Sequence, residues 1–132
     1  MSFLLDTNTC SHHIKDDRRL FQRFVQHSGR LFVSRIVVAE LYAWAHCRSD
    51  TVKMLERIEN FLTEMRLIEI DTEASREFGR LRGVLRRQGV AVGQFDLLIA
   101  ATALVHNLMV VTHNTRDFNP IPGLSVVDWL AP

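Results

Sequence analysis

Four acidic residues stand at positions that a chemical role would explain: Asp6, Glu40, Asp96 and Asp117. Asp6 ends the apolar run Phe3-Leu4-Leu5, which is typical of a short strand buried in a parallel sheet. Because open α/β sheets bind ligands at the carboxyl ends of their strands, a carboxylate followed by Thr7 and Asn8 indicates a binding site there. Taken alone, the same residues also fit an Asx turn that closes a strand.

Glu40 lies in a predicted helix and should share the buried side of that helix. Its neighbours at i−3 and i+4 are Val37 and Trp44, so the three side chains occupy one helical face. An unpaired carboxylate there costs on the order of several kcal/mol unless a cation or strong hydrogen-bond donors meet it. The structural alternative is a salt bridge to an arginine such as Arg35.

Asp96 opens a helix that is otherwise apolar from Phe95 onward and is therefore predicted to be buried. The helix dipole favours an aspartate in the first turn, but in a buried helix the carboxylate must point into a polar cavity. Asp117 follows a predicted strand, in a polar loop that begins at Asn114. On a parallel sheet, all four acids would lie along one edge.

Four carboxylates on one edge of a sheet would repel one another strongly unless cations are present. Hard divalent ions with oxygen ligands, Mg²⁺ or Mn²⁺, are suited to such a cluster. One such ion, or two about 4 Å apart, would activate a water and stabilise the leaving oxygen of a phosphodiester. The acids therefore predict a metal-dependent nuclease or phosphatase.

Short apolar strands alternate with helices along the whole chain, which predicts the elements that must position these acids. Strands are expected at 3–5, 31–33, 67–70, 108–112 and 124–127. Helices are expected between them, including one capped by Asp16 or Asp17 whose apolar face is Leu20, Phe21, Phe24 and Val25. This alternation predicts one domain over residues 1–132, a three-layer α/β/α fold around a mainly parallel sheet of about five strands.

The bulk composition is that of an ordinary globular chain, with 132 residues, 47% hydrophobic and 23% charged. A net charge of +1 creates no overall attraction to nucleic acid. Cys10 and Cys47 form no CxxC pair, so we expect reduced thiols in a cytoplasmic protein. No leader and no apolar stretch long enough to span a bilayer is evident.

A local basic surface is predicted on the helix that follows Asp71. Arg76, Arg80 and Arg87 share one face of it, opposite the apolar side, and are candidates for contacts to an RNA backbone. The structural alternative is a solvated face paired to Glu73 and Glu77.

Several segments together resemble the motifs of PIN-domain ribonucleases, most of all the VapC toxins of bacterial toxin–antitoxin pairs. They are FLLDTN, the VVAEL around Glu40, FDLLIAATAL, and the terminal VVTHNTRDF, NPIPGL and VVDW. The resemblance implies that the four acids bind metal, with Asp6 and Asp96 as the primary ligands. It implies that Asn8, Thr112 and Asn114 orient carboxylates or water.

The same resemblance implies Mg²⁺-dependent cleavage of RNA, with transfer RNA as a candidate substrate. It also implies a homodimer, and a small antitoxin of VapB type that inserts a tail into the active site. Gln94-Phe95 departs from the pattern, because many such proteins have small residues or proline before the aspartate, and this should alter substrate fit. His113 is either a further residue near the scissile phosphate or a loop residue without a role.

The sequence also allows two other functions, a binding module without catalysis and a phosphate hydrolase. A PIN-like module that binds RNA or a protein without cleavage is disfavoured, because it has no reason to keep mutually repelling carboxylates. An aspartyl-phosphate hydrolase needs a second aspartate two residues after the first, and Asn8 stands there. A phosphate-binding loop that ends in Lys-Ser or Lys-Thr is absent.

Overall fold

The computed structural model describes residues 1–132, which form one five-stranded parallel sheet with helices packed against it. The strands are β1 (Phe3–Leu5), β2 (Leu31–Ser34), β3 (Arg66–Ile68), β4 (Met109–Val111) and β5 (Val126–Val127). Their spatial order is β3-β2-β1-β4-β5, and every neighbouring pair is parallel. The predicted α/β/α architecture is confirmed.

Seven helices supply the crossovers that parallel strands require. They are α1 (Thr7–Ile14), α2 (Arg18–Gln26), α3 (Arg35–His46), α4 (Thr51–Thr63), α5 (Thr72–Arg87), α6 (Gln94–Val105) and α7 (Thr115–Phe118). Helices α1, α3 and α4 contact one another, and α5 packs along α6. Half of the residues of α6, all of them after its first turn, are buried, as expected for a helix that is apolar on nearly every face.

The strand order determines where a ligand site can lie. From β1 the chain first builds outward through β2 to β3, and then returns to the other side of β1 to add β4 and β5. The direction of building therefore reverses beside β1. A crevice at the carboxyl ends of the two strands that flank such a reversal is the usual ligand site of open α/β sheets. Here those strands are β1 and β4, and Asp6 and Thr112 are the residues that follow them.

Two sequence predictions about this framework are wrong in detail. Phe21 and Val25, expected on the buried face of α2, are 64% and 61% exposed, and only Leu20 and Phe24 of that helix are buried. This helix packs on the rest of the fold along one narrow stripe. Leu20 and Phe24, four residues apart, lie in the stripe, whereas Phe21 and Val25 lie one position further round the helix and face solvent.

The strands expected at 67–70, 108–112 and 124–127 are also shorter in the structure, as β3, β4 and β5. Apolar runs in the sequence extend past the residues that pair, because a ladder ends where the neighbouring strand ends. Cys10 is buried and Cys47 exposed, and both are free thiols. None of the helices has the length and hydropathy needed to cross a bilayer.

Candidate active site

Asp6 is held at the end of β1 by hydrogen bonds that fix both of its carboxylate oxygens. Oδ1 accepts from the Thr9 backbone N–H at 2.9 Å, so Asp6 is also the N-cap of α1. Oδ2 accepts from Thr112 Oγ1 at 2.5 Å, across the gap between β1 and β4. Asp6 is 4% exposed. Burial raises the pKa of this carboxyl group, and the hydrogen bonds from Thr112 and Thr9 oppose that rise.

Glu40 reaches the same region from α3. Its Oε1 accepts a hydrogen bond of 2.6 Å from Thr7 Oγ1, one residue after Asp6. The salt bridge to Arg35, considered from the sequence, is not formed, because Arg35 Nε donates to Glu69 Oε1 at 2.6 Å. Glu40 is only half-buried rather than fully enclosed. Its carboxylate therefore has a neutral hydroxyl as its partner and keeps its negative charge uncompensated.

Asp96, in the first turn of α6, lies near enough to the other three acids for their negative charges to act on its carboxyl group. Burial raises its pKa to about 6, and the negative charges of Asp117, Asp6 and Glu40 add to the rise. The four predicted acids are thus brought together by the fold. Their roles in metal binding and catalysis stay predictions.

The Asp96 side chain lies near the residue that caps its helix. Gly93 is the N-cap of α6, and a Cβ added there would lie 3.8 Å from Asp96 Oδ2. The carboxylate therefore lies back over the first turn of the helix. The carboxylate accepts no hydrogen bond from the protein, so its partners must come from solvent or a bound cation.

The segment after β4 supplies the last of the acids. Thr112 Oγ1 accepts from the Asn114 backbone N–H at 2.9 Å while it donates to Asp6, so one hydroxyl ties the loop to the acid at the end of β1. Asp117 follows in α7, a single helical turn whose Phe118 is buried in the core. Phe118 therefore anchors the turn, and the exposed Asp117 side chain is left at the edge of the site.

The donors gathered here fit a hard divalent cation. All are oxygen atoms, and the Asn8 Oδ1 atom is buried with no hydrogen-bond partner, two residues after Asp6. A buried acceptor without a donor is rare, and a water molecule bound to an ion would satisfy it. No three His, Cys, Asp or Glu side chains are positioned to hold one ion between them. Mg²⁺ is commonly held by one or two carboxylates and several waters, so the arrangement suits that ion.

A fifth acid near the site was missed in the sequence. Asp128 directly follows β5, and its negative charge contributes to the raised pKa of Asp6. Its Oδ2 lies 3.0 Å from His113 Nδ1, and its Oδ1 accepts from the Leu130 backbone N–H at 2.8 Å. The sequence could have indicated Asp128, because it follows an apolar strand in the same way that Asp6 does. His113 is thus tied to an acid beside the site.

The predicted basic face of α5 divides into two parts. Arg76 Nη1 lies 3.2 Å from Glu73 Oε1, and Arg80 Nε is hydrogen-bonded to Glu77 Oε1 at 2.5 Å. Those two pairs are the structural alternative that the sequence left open. Arg87, at the end of α5, is exposed and has no acidic partner. Of the three arginines, it alone keeps an uncompensated charge.

Comparison with known proteins agrees with this geometry. The sequence matches the PIN domain over residues 3–124. It is 35% identical over 130 residues to the tRNA(fMet)-specific endonuclease VapC of Salmonella typhimurium, covering 98% of both chains. It is 32% identical over 133 residues to ribonuclease VapC2 of Haemophilus influenzae, covering 98% of this chain and 99% of that protein.

Solved structures give the same relationship. A DNA-bound VapBC from Salmonella typhimurium superposes with a TM-score of 0.93 at 35% identity, covering 98% of each chain. VapBC2 from Rickettsia felis, bound to a promoter DNA fragment, superposes at 0.91 with 28% identity, covering 98% of this chain and 99% of that one. The fold and the acid site define a PIN-domain protein. Within that class, the chain belongs to the VapC ribonuclease family.

Proposed function

We propose that this protein is an Mg²⁺-dependent endoribonuclease that acts as the toxin of a toxin–antitoxin pair. The observation that carries the proposal is the convergence of Asp6, Glu40, Asp96 and Asp117, seen in the raised pKa of Asp96. Carboxylates that repel one another destabilise a fold, so a cation bound among them would explain why they lie near one another. Membership of the VapC family supports the same activity.

Asp6 and Asp96 would hold the ion, since Asp6 is fixed in place and Asp96 has no protein donor to satisfy it. A bound Mg²⁺ or Mn²⁺ would supply Lewis-acid stabilisation of the phosphate and a water of lowered pKa. Thr112 keeps Asp6 oriented, and Thr7 does the same for Glu40. In this proposal Glu40 and Asp117 would orient and deprotonate the attacking water, a role that needs a carboxylate within hydrogen-bond reach of that water.

Transfer RNA is the substrate that we propose. Its support is the name of the Salmonella relative, a tRNA(fMet)-specific endonuclease. The near-neutral net charge of +1 is consistent with an enzyme that gains its substrate through a local basic surface and a pocket. Structured RNA with an unpaired loop suits an acid site at the open edge of a sheet, because single-stranded bases can be splayed into such a site.

We further propose a VapB-type antitoxin as the inhibitory partner, a homodimer as the assembly, and the cytoplasm as the site of action. The similarity to the chains of VapBC complexes supports the first of these. The free thiols of Cys10 and Cys47 are consistent with a reducing compartment. The alternative is a PIN-like module that binds RNA or a protein without cleaving it.

Incubation of the purified protein with total RNA tests the proposal. We expect discrete RNA fragments with Mg²⁺ or Mn²⁺, none with EDTA, and none from Asp6→Asn. Glu59→Gln, a change at an exposed acid of α4 outside the site, is the matched control and should cleave like the wild type. RNA that is retained on the protein but stays intact with every metal would favour the binding module.

A further inference from the structure

Phe95 is a large aromatic side chain that the fold leaves uncovered, one residue before Asp96. Half of its surface is exposed, whereas Leu97 and Ile99 in the same helix are buried. It directly precedes Asp96 in the first turn of α6. An isolated exposed aromatic needs no explanation, so the surroundings of this one decide whether it has a role.

The loop that leads to Phe95 is fastened to the end of α5. The Val90 backbone N–H donates to Leu85 O at 2.9 Å, and Arg82 Nη1 donates to Val92 O at 3.0 Å. The connection from 88 to 93 therefore folds back along the last turns of α5. This holds the start of α6, and with it Phe95, at the same end of the α5–α6 pair as the last residues of α5.

Those last residues carry positive charge that no acid neutralises. Arg86 and Arg87 are both exposed and form no salt bridge, in contrast to Arg76 and Arg80 earlier in the helix. Uncompensated guanidinium groups at one end of the helix pair are suited to phosphate oxygens. An exposed aromatic ring and free cations thus lie at the same end of the α5–α6 pair as Asp96.

We propose that Phe95 is a stacking platform for an unpaired base of the RNA next to the cleaved phosphate, with Arg86 and Arg87 holding the strand backbone on its way to the acids. This inference rests on the proposed ribonuclease function. Proteins that bind single-stranded RNA combine aromatic rings, on which bases stack, with basic residues that follow the backbone. A base stacked on Phe95 would bring the adjoining phosphate towards Asp96 without reading its sequence.

Cleavage kinetics and base fluorescence test the platform together. The probe is a single-stranded RNA 12-mer with 2-aminopurine at alternating purine positions, cleaved with Mg²⁺ and bound with Ca²⁺. Stacking quenches 2-aminopurine, so wild type should quench it on binding. Phe95→Ala should remove most of the quenching and raise KM about tenfold, the loss expected for one stacked base, with a smaller effect on kcat.

Two variants separate stacking from general effects of substitution. Phe95→Tyr keeps a ring and should restore both KM and quenching. Phe21→Ala removes an aromatic side chain that is more exposed, at 64%, but lies on α2, and it should behave like the wild type.

Normal KM and normal quenching for Phe95→Ala would overturn the platform, while metal-dependent cleavage by the wild type would leave the ribonuclease function standing. The platform would also be overturned if the wild type cleaves structured RNA but neither binds nor cleaves the single-stranded 12-mer. A wild type that cleaves neither RNA with any metal would remove the proposed function itself.

Discussion

Asp6 and Asp96 lie in one acid cluster, yet the two sides of the site hold them in different ways. On the strand side, Asp6 accepts hydrogen bonds from Thr112 and Thr9 and is 4% exposed. On the helix side, Asp96 is affected by burial and by three neighbouring negative charges, with no protein donor. Both carboxyl groups have a raised pKa, but only on the strand side do hydrogen bonds oppose the rise.

The difference indicates how a site can be ordered before its ion arrives. Donors fixed by the strand framework keep one ligand in position at all times. Asp96 is left without a protein donor, so a cation bound there would gain much of its binding energy by relief of repulsion. The strand side should therefore control geometry, and the helix side should control how strongly metal affects stability.

The largest expected effect is the loss of cleavage in Asp96→Asn. Losing a carboxylate that holds the ion removes several kcal/mol of transition-state stabilisation, or about 1,000-fold in rate at about 1.4 kcal/mol per tenfold. Initial rates of RNA cleavage at saturating Mg²⁺ measure this loss. A rate within tenfold of the Glu59→Gln control would show that Asp96 does not hold the ion.

Thr112→Val tests the strand side, because it removes the donor to Asp6 and keeps the shape of the side chain. Substitution of a residue that orients a metal ligand typically lowers activity or metal affinity by about 10- to 100-fold. We expect a loss in that range, together with a higher Mg²⁺ concentration for half-maximal rate. Thr63→Val, at an exposed threonine that ends α4, is the matched control. Equal rates for the two variants would contradict an orienting role.

Metal should stabilise the wild type and have little effect on Asp96→Asn. A ligand that binds only the folded state at a hundredfold excess over Kd adds about 2.7 kcal/mol, which is on the order of 10 °C in Tm for a chain of this size. Thermal unfolding with Mg²⁺ and with EDTA measures the difference. If metal raises the Tm of Asp96→Asn as much as that of the wild type, the ion binds elsewhere.

The pH dependence of stability should isolate the charge on Asp96. Its pKa rises from 3.8 to about 6 on folding, so the folded state favours the protonated form. Stability is therefore lost as the pH rises from about 4 through 6, and Asp96→Asn avoids that loss. The rise corresponds to about 3 kcal/mol, which solvent screening of a half-buried group reduces to about 1 kcal/mol.

Urea unfolding in EDTA measures this effect, as the stability difference between Asp96→Asn and the wild type. The variant should gain about 1 kcal/mol relative to the wild type between pH 4 and pH 7.5. If the stability difference between the variant and the wild type is constant across that range, burial and the neighbouring charges do not raise the pKa of Asp96.

The smallest effect is expected from the arginines of α5. Arg87→Gln should flatten the slope of log K for RNA binding against log salt by about one unit, the change for one lost phosphate contact. Arg80→Gln should change it less, because Glu77 already compensates that charge. Fluorescence anisotropy with labelled tRNA at several salt concentrations measures both slopes. If both variants have the same slope as the wild type, the arginines of α5 do not contact RNA phosphates.

Much of the framework could be predicted from the sequence, because local patterns determine it. Apolar runs of three or four residues indicated the strands, and helical spacing indicated the segments between them, so the parallel α/β fold followed. Asp6 and Asp96 could be found in the same way, since a charge at the end of an apolar strand or helix contrasts with its own neighbours. Local patterns did not reveal which side of α2 would face solvent, so Phe21 and Val25 were misplaced.

The partners of the acids were decided only by the tertiary structure. Thr112 is 106 residues from Asp6 in the chain, and Thr7 is 33 residues from Glu40. Sequence spacing carries no information about such pairs, because they depend on β4 lying beside β1 and on how α3 packs against α1. The same holds for Asp128, whose charge acts on Asp6 because β5 joins the sheet next to β4, and for Phe95, whose exposure depends on what the rest of the fold leaves uncovered.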